Sequence, residues 1–208
     1  MRCFNKIFCI GFPKTGTTSL HHALQELGLR SIHHGFDSPG DLKAHLESAR
    51  HINQEIRQAV RDGADLLACI PDYDAYTDIG AVRTHYKLLD SQYKGSLFIY
   101  TTRDKSSWLR SLQAHINRRT REKLLSEGKA PRDPYEILIE RQAFETDIDV
   151  YFEARPEDLL KLDVSDENAF PRLCRFLQVP VLAKAFPRRN VAKQARPAPI
   201  IPSESAAN

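Results

Sequence analysis

The sequence predicts an α/β fold, a three-layer parallel sheet of about four to five strands flanked by helices. Three observations carry that expectation. An apolar run, Ile7-Phe-Cys-Ile10, passes through a glycine-containing loop into a segment with helical periodicity. Short runs of β-forming residues then alternate with helical patterns along most of the chain, the order that builds parallel strands joined by crossover helices. The run Ser96-Leu-Phe-Ile-Tyr-Thr-Thr102 is dense in β-formers and ends at an arginine. With 208 residues, 41% hydrophobic and 27% charged, the chain suffices for one substantial core and is short for two. The reading is one domain over residues 1–196 and a flexible tail over 197–208, where prolines and small residues dominate.

Strand one is expected over residues 6–11. The helix after it carries Leu20, Leu24 and Leu27 at i, i+4 and i+7 and stops at Gly28. A second strand over 30–34 ends in His33-His34. Ser38-Pro39-Gly40 then marks a turn, and Asp41 caps a polar helix that Gly63 breaks or bends. Residues 66–70, Leu-Leu-Ala-Cys-Ile, are too few for periodicity to separate a strand from a buried helix end, and Pro71 terminates them either way. Residues 74–78 form a short strand leading to Gly80, followed by one helix over 81–91. After the strand at 96–102, Asp104 or Ser106 caps a helix with Trp108, Leu109, Leu112 and Ile116 at helical spacing. Asp133-Pro134 opens a further helix in the N-cap, N1 arrangement, running to about residue 154. A last strand follows at 159–164 and a last helix at 166–177.

A formal net charge of +3 gives no reason to expect nucleic acid as a partner and suits a polyanionic ligand. The basic run at 118–123 reads as a solvated helix face. Cys3, Cys9, Cys69 and Cys174 are scattered without a C-x-x-C pair, which argues against a disulfide framework or a zinc site. The pairs His21-His22 and His33-His34 lack a carboxylate at ligand spacing, so no metal site is expected. No apolar stretch has the length of a signal segment or a membrane span, and the expectation is a soluble, cytoplasmic protein with no membrane partner.

In open parallel sheets, ligands bind at the carboxyl ends of the strands. Pro13-Lys14-Thr15-Gly16-Thr17-Thr18 lies at such an end, directly before a helix. Unpaired N–H groups of a first helical turn, the positive end of the helix dipole and an ammonium group converge there on one anion. The expected ligand is a nucleotide phosphate and the fold is of the P-loop nucleotide-binding type. A Walker A loop places its lysine directly after the second glycine. Here Thr17 follows Gly16, and the lysine stands two residues before that glycine. Downstream, Arg103 ends a strand and Ser111 lies about two turns into the next helix, so that a guanidinium fork and a hydroxyl can grip one phosphate from two sides.

Together these two motifs resemble the 5′-phosphosulfate loop and the 3′-phosphate motif of sulfotransferases, which use 3′-phosphoadenosine 5′-phosphosulfate (PAPS). The resemblance covers most of residues 5–190, including Leu173-Cys-Arg-Phe-Leu177 and Phe186-Pro-Arg-Arg-Asn190, which are similar to the C-terminal region of small bacterial-type soluble members. It implies in-line transfer of a sulfuryl group from PAPS to a hydroxyl or amine acceptor, with PAP as product and no metal. It also implies donor contacts from Pro13, Lys14, Thr15, Gly16, Thr17, Thr18, Arg103 and Ser111, with Lys14 at the bridging oxygen. The R-K-G segment of the larger cytosolic enzymes has no counterpart. Arg188 and Arg189 either take its place or belong to a basic solvated tail, and Ser19 and Leu20 occupy the position of an adenine-stacking tryptophan.

Tyr76-Thr77-Asp78-Ile79-Gly80 stands where cytosolic members carry a Lys-Thr-His-Leu-Pro strand end, so Asp78 takes the place of the histidine base. Two other readings stay open: Asp78 as a helix N-cap, and His33 or His34 as the base. The acceptor is a small molecule, a carbohydrate or another hydroxyl compound, selected by segments 32–40 and 116–135, which carry no recognisable signature. Competing functions are a nucleotide or small-molecule kinase with an atypical loop, which needs Mg²⁺ ligands, and a non-catalytic nucleotide-binding protein that keeps the cradle without a base.

Overall fold

The computed structural model describes residues 4–34, 52–123, 132–182 and 185–187. Strand β1 (Ile7–Cys9) is buried along its whole length, as a strand in the middle of a helix-covered sheet must be. Around it lie β2 (Ser31–His33), β3 (Ala75–Thr77), β4 (Leu97–Thr102) and β5 (Leu159–Asp163), in the order β2-β3-β1-β4-β5. Every pairing is parallel, with Ile7 opposite both Ala75 and Leu97, His33 opposite Thr77, and Thr102 opposite Asp163. The chain thus winds to one side of β1 for β2 and β3 and to the other for β4 and β5. The carboxyl end of β1 is the crevice between the two halves, where such sheets bind ligands.

Side chains alternate across the sheet with the two-residue strand period. Phe8, Ile32, Tyr76, Phe98 and Tyr100 face one layer, and Ile7, Cys9, Ala75, Ile99 and Leu162 the other. The second face is covered by α1 (Thr17–Glu26), through Leu20, Ala23 and Leu24, and by α7 (Ala169–Phe176), through Phe170, Leu173 and Cys174. The first is covered by α2 (Ile52–Asp62), α3 (Gly80–Thr84), α4 (Tyr86–Gln92), α5 (Lys105–Lys123) and α6 (Pro134–Tyr151). The expected three-layer α/β architecture is therefore present, with five strands.

Some boundaries differ from the sequence reading for identifiable reasons. Residues 66–70 are neither strand nor helix. They form turns closed by Ala68 N–H to the Asp65 carbonyl and Ile70 N–H to the Leu67 carbonyl, with Leu66, Leu67 and Ile70 buried and Cys69 exposed. The helix expected over 81–91 is two helices, because His85 leaves the helical region (φ −112°, ψ 27°) and redirects α4 so that Tyr86 and Leu89 enter the core. The last helix starts at Ala169 because Asp163 and Asp166 first hold turns, accepting from the N–H groups of Ser165 and Asn168. Asp104 caps α5, accepting from Ser107 N–H at 2.8 Å, and Asp133 caps α6, accepting from Tyr135 N–H at 2.9 Å. The expected turn at 38–40, the cap at Asp41, the side chains of 118–123, Arg188, Arg189 and the tail at 197–208 lie outside the described residues.

Candidate functional site

The loop between β1 and α1 is held rigidly from behind. Lys14 has φ 71° and Gly16 has φ 104°, two left-handed turns in three residues. At Gly16 a side chain is excluded twice: by that φ, and because an added Cβ would lie 2.3 Å from Val164 Cγ2. Thr15 is buried and its hydroxyl donates to the Phe12 carbonyl at 2.6 Å, so the Thr101 hydroxyl must donate to Thr15 across another 2.6 Å. Gly11 allows that approach, since a Cβ there would sit 2.0 Å from Thr101 Oγ1. The buried Trp108 donates its indole N–H to the Pro13 carbonyl at 2.9 Å, and Arg103 donates to the Lys14 carbonyl at 3.2 Å. With its carbonyls drawn toward β4 and α5, the loop leads into α1, whose first-turn N–H groups at Thr17 and Thr18 have no intrahelical acceptor.

A second group of residues gathers at the ends of β2 and β3. His33 and Thr77 are register partners, and the residue after each, His34 and Asp78, turns out of the sheet with φ 54°. Non-glycine residues at positive φ are uncommon. Three of the four among the described residues, Lys14, His34 and Asp78, lie at these three neighbouring strand ends. Such strain concentrates where side-chain placement matters to function. Asp78 Oδ2 stands 3.8 Å from His33 Nε2 and 3.9 Å from His34 Nδ1. Burial pushes the Asp78 carboxyl above the ordinary carboxylate range, against the lowering influence of His34, Arg83, a hydrogen bond from Thr17, and Lys14.

The protonation of His33 can be read from its partners. The Thr77 hydroxyl donates its one proton to the Ile32 carbonyl at 2.8 Å, so at 3.0 Å it accepts from His33 Nδ1–H. Burial, with His21, His34 and His22 nearby, pushes His33 down to about 4. The ring is neutral at pH 7, and Nε2 carries the lone pair, accepting from the Thr18 hydroxyl at 3.2 Å. The Thr18 hydroxyl thus ties the loop after β1 to His33, and His33 Nε2 lies 3.8 Å from Asp78 Oδ2. Spacing in the sequence does not reveal this link; the register of β2 against β3 creates it.

Lowering the pKa of His33 has a stability consequence. Between 6.5 and about 4 the unfolded chain binds a proton at His33 that the folded chain does not. Folding stability contributed by this residue therefore falls as pH drops through that window, by up to about 3 kcal/mol. Asp78 acts in the opposite sense, since its raised pKa binds a proton more tightly in the folded state. Urea unfolding at pH 7 and pH 4.5 checks this: His33→Gln loses less stability on acidification than the parent chain does.

Not every expected residue converges. Arg103 donates from Nε to Ser107 Oγ at 2.7 Å, and Ser111 lies one helical turn further along the same face of α5. Asp78 is not a helix cap. The N-cap position of α3 is Ile79, and Asn53 from α2 accepts from the Ala81 N–H at 2.7 Å. Ser19 and Leu20 are both buried. Arg83, which the sequence reading passed over, donates to the Gly11 carbonyl at 3.3 Å and lies 4.3 Å over the Phe12 ring, a second cation at the front of the loop. Among the described residues no group of three or more His, Cys, Asp or Glu is placed to hold a metal ion.

A rigid loop at the crevice of a parallel five-stranded sheet, leading into a helix N-terminus with an arginine behind it and a half-buried carboxylate beside it, defines a P-loop-type α/β fold. A family model described as a sulfotransferase domain matches residues 6–132, more than half of the chain and all of the elements just described up to α5. The chain belongs to the sulfotransferase-domain family. A comparison with curated proteins returns no match. No described helix is long and apolar enough to cross a membrane.

Proposed function

We propose that this chain transfers a sulfuryl group from PAPS to a hydroxyl or amine acceptor by in-line displacement. The observation that carries the reading is the linkage of loop and carboxylate: the Thr18 hydroxyl bonds His33 Nε2 at 3.2 Å, and Asp78 Oδ2 lies 3.8 Å from the same nitrogen. A phosphate-binding loop alone would fit many nucleotide proteins. One with a half-buried carboxylate at positive φ, linked to its own helix start through His33, also carries a candidate proton acceptor.

The donor set fits an anionic nucleotide. Lys14, the first-turn N–H groups of α1 and the backbone of Pro13, Thr15 and Gly16 would hold the 5′ end, while Arg103 and Ser111 would hold the 3′-phosphate. When bound, PAPS supplies a flat sulfuryl group that moves between two oxygens, so the protein's work is positioning and charge neutralisation. Lys14 neutralises negative charge developing at the loop. Asp78 accepts the proton of the acceptor hydroxyl, and His33 Nε2, 3.8 Å away, is placed to share it. The acceptor is a small molecule, a carbohydrate or another compound that presents a hydroxyl or an amine.

Thermal shift with PAP, PAPS, ATP and ADP, each with and without Mg²⁺, tests the donor. PAP is expected to raise Tm by several degrees without metal, since a ligand at about 100 times its Kd stabilises by about 2.7 kcal/mol. Stabilisation that requires ATP and Mg²⁺ together rejects the reading in favour of a kinase. Transfer of labelled sulfate to a panel of hydroxyl acceptors then separates an enzyme from a binding protein.

A further inference from the structure

Arg141, on α6 and beyond the matched family segment, is 7% exposed and lies against the donor-binding loop's support. Its guanidinium carbon stacks 4.8 Å from the centre of the Trp108 ring, whose N–H holds the Pro13 carbonyl. Nη2 donates to the Arg103 carbonyl at 3.1 Å, and Nε donates to Glu145 at 3.0 Å and to the Tyr100 hydroxyl at 3.4 Å. Nη1 is buried and has no hydrogen-bond partner among the described residues.

A buried guanidinium with one unmet donor is a poor device for stability. Apolar side chains of similar volume often replace buried ion pairs without loss, and an unsatisfied buried donor is itself a cost. What the fork does achieve is geometric. It fixes the end of β4, where Arg103 leaves the sheet, and it fixes the indole that holds Pro13. Arg103 in turn holds the Lys14 carbonyl at 3.2 Å. One side chain therefore sets both halves of the donor site relative to each other.

We propose that Arg141 is a positioning residue for donor binding, holding the Pro13–Lys14 loop and Arg103 in register through Trp108. The role rests on the PAPS reading for its ligand arm only. The loop arm can be measured without any ligand.

Arg141→Met and Arg141→Lys test it, since lysine keeps the charge without the fork and covers the case in which methionine prevents folding. Hydrogen exchange of amides 14–18 in the ligand-free protein is expected to accelerate about tenfold in both variants. Trp108 is the only tryptophan of the chain, so its fluorescence reports the same contact, and its emission is expected to shift. PAP affinity and the KM for PAPS are expected to weaken about tenfold while kcat changes less than about threefold. Unchanged loop exchange and unchanged Trp108 emission in both variants overturn the proposal, as does a lowered Tm with KM for PAPS unaltered. If the parent chain fails to bind PAP, the donor reading falls, and the exchange data still decide the role of Arg141.

Discussion

Replacing Lys14 with methionine is expected to lower the rate of sulfuryl transfer by about a thousandfold, in the range found when a preorganised charge-stabilising group is removed from an active site. The loop has fastenings of its own besides that ammonium. Its fastenings are the Pro13 carbonyl on Trp108, the Lys14 carbonyl on Arg103, and Thr15 on Thr101. Methionine keeps the apolar stem and meets the same positive φ of 71° as lysine does. The Tm of the variant is therefore expected within a few degrees of the parent. Lys14 also lowers the pKa of Asp78, so removing it raises that pKa further and moves the acid limb of the kcat/KM profile to higher pH. A purely structural role for Lys14 predicts a lowered Tm and no displacement of the acid limb. A variant that keeps more than about a tenth of the parental rate removes Lys14 from the chemistry.

The fold was legible because it rests on local signals that tertiary contacts reinforced. The residues at 7–10 and 97–102 could serve nowhere but in a buried sheet, and Leu20 and Leu24 could serve only on a sheet-facing helix. Asp104 and Asp133 cap their helices because a short carboxylate ahead of a helical pattern has few better uses. The boundaries that differed involve groups whose partners are distant in sequence. Residues 66–70 fold as turns against Gln92 and Tyr93 of another segment, and no periodicity in five residues can announce that.

The site was legible in its parts and not in its wiring. Lys14, Gly16, Arg103 and Asp78 can each be picked from spacing at a strand end. That Thr18 meets His33, Asp78 lies beside the same ring, and His33 carries its proton on Nδ1 follows only once β2 and β3 are in register. Arg141 was invisible for the same reason. It lies 33 residues after Trp108 in the sequence, and nothing in an amphipathic helix pattern marks an arginine that points inward onto an indole.

Asp78→Asn is expected to lower kcat by about a hundredfold or more, the usual contribution of a positioned general base. Asparagine tolerates a φ of 54° and keeps the size and shape of the side chain, so the change removes proton affinity and little else. The pH profile identifies the base. A base must be ionised to act, and burial raises the pKa of Asp78. The acid limb of kcat/KM in the parent is therefore expected above the ordinary carboxylate range, with activity rising as pH increases through it. A limb set by His33 would instead lie down around 4, because that ring is already neutral and accepting at Nε2 across the working range. His33→Gln keeps a side chain able to hold Thr18 or Thr77 and is expected to cost about tenfold, mainly by loosening Asp78 and the helix start. Should Asp78→Asn retain the parental rate while His33→Gln abolishes it, the proton goes to the imidazole, and Asp78 is the group that orients it.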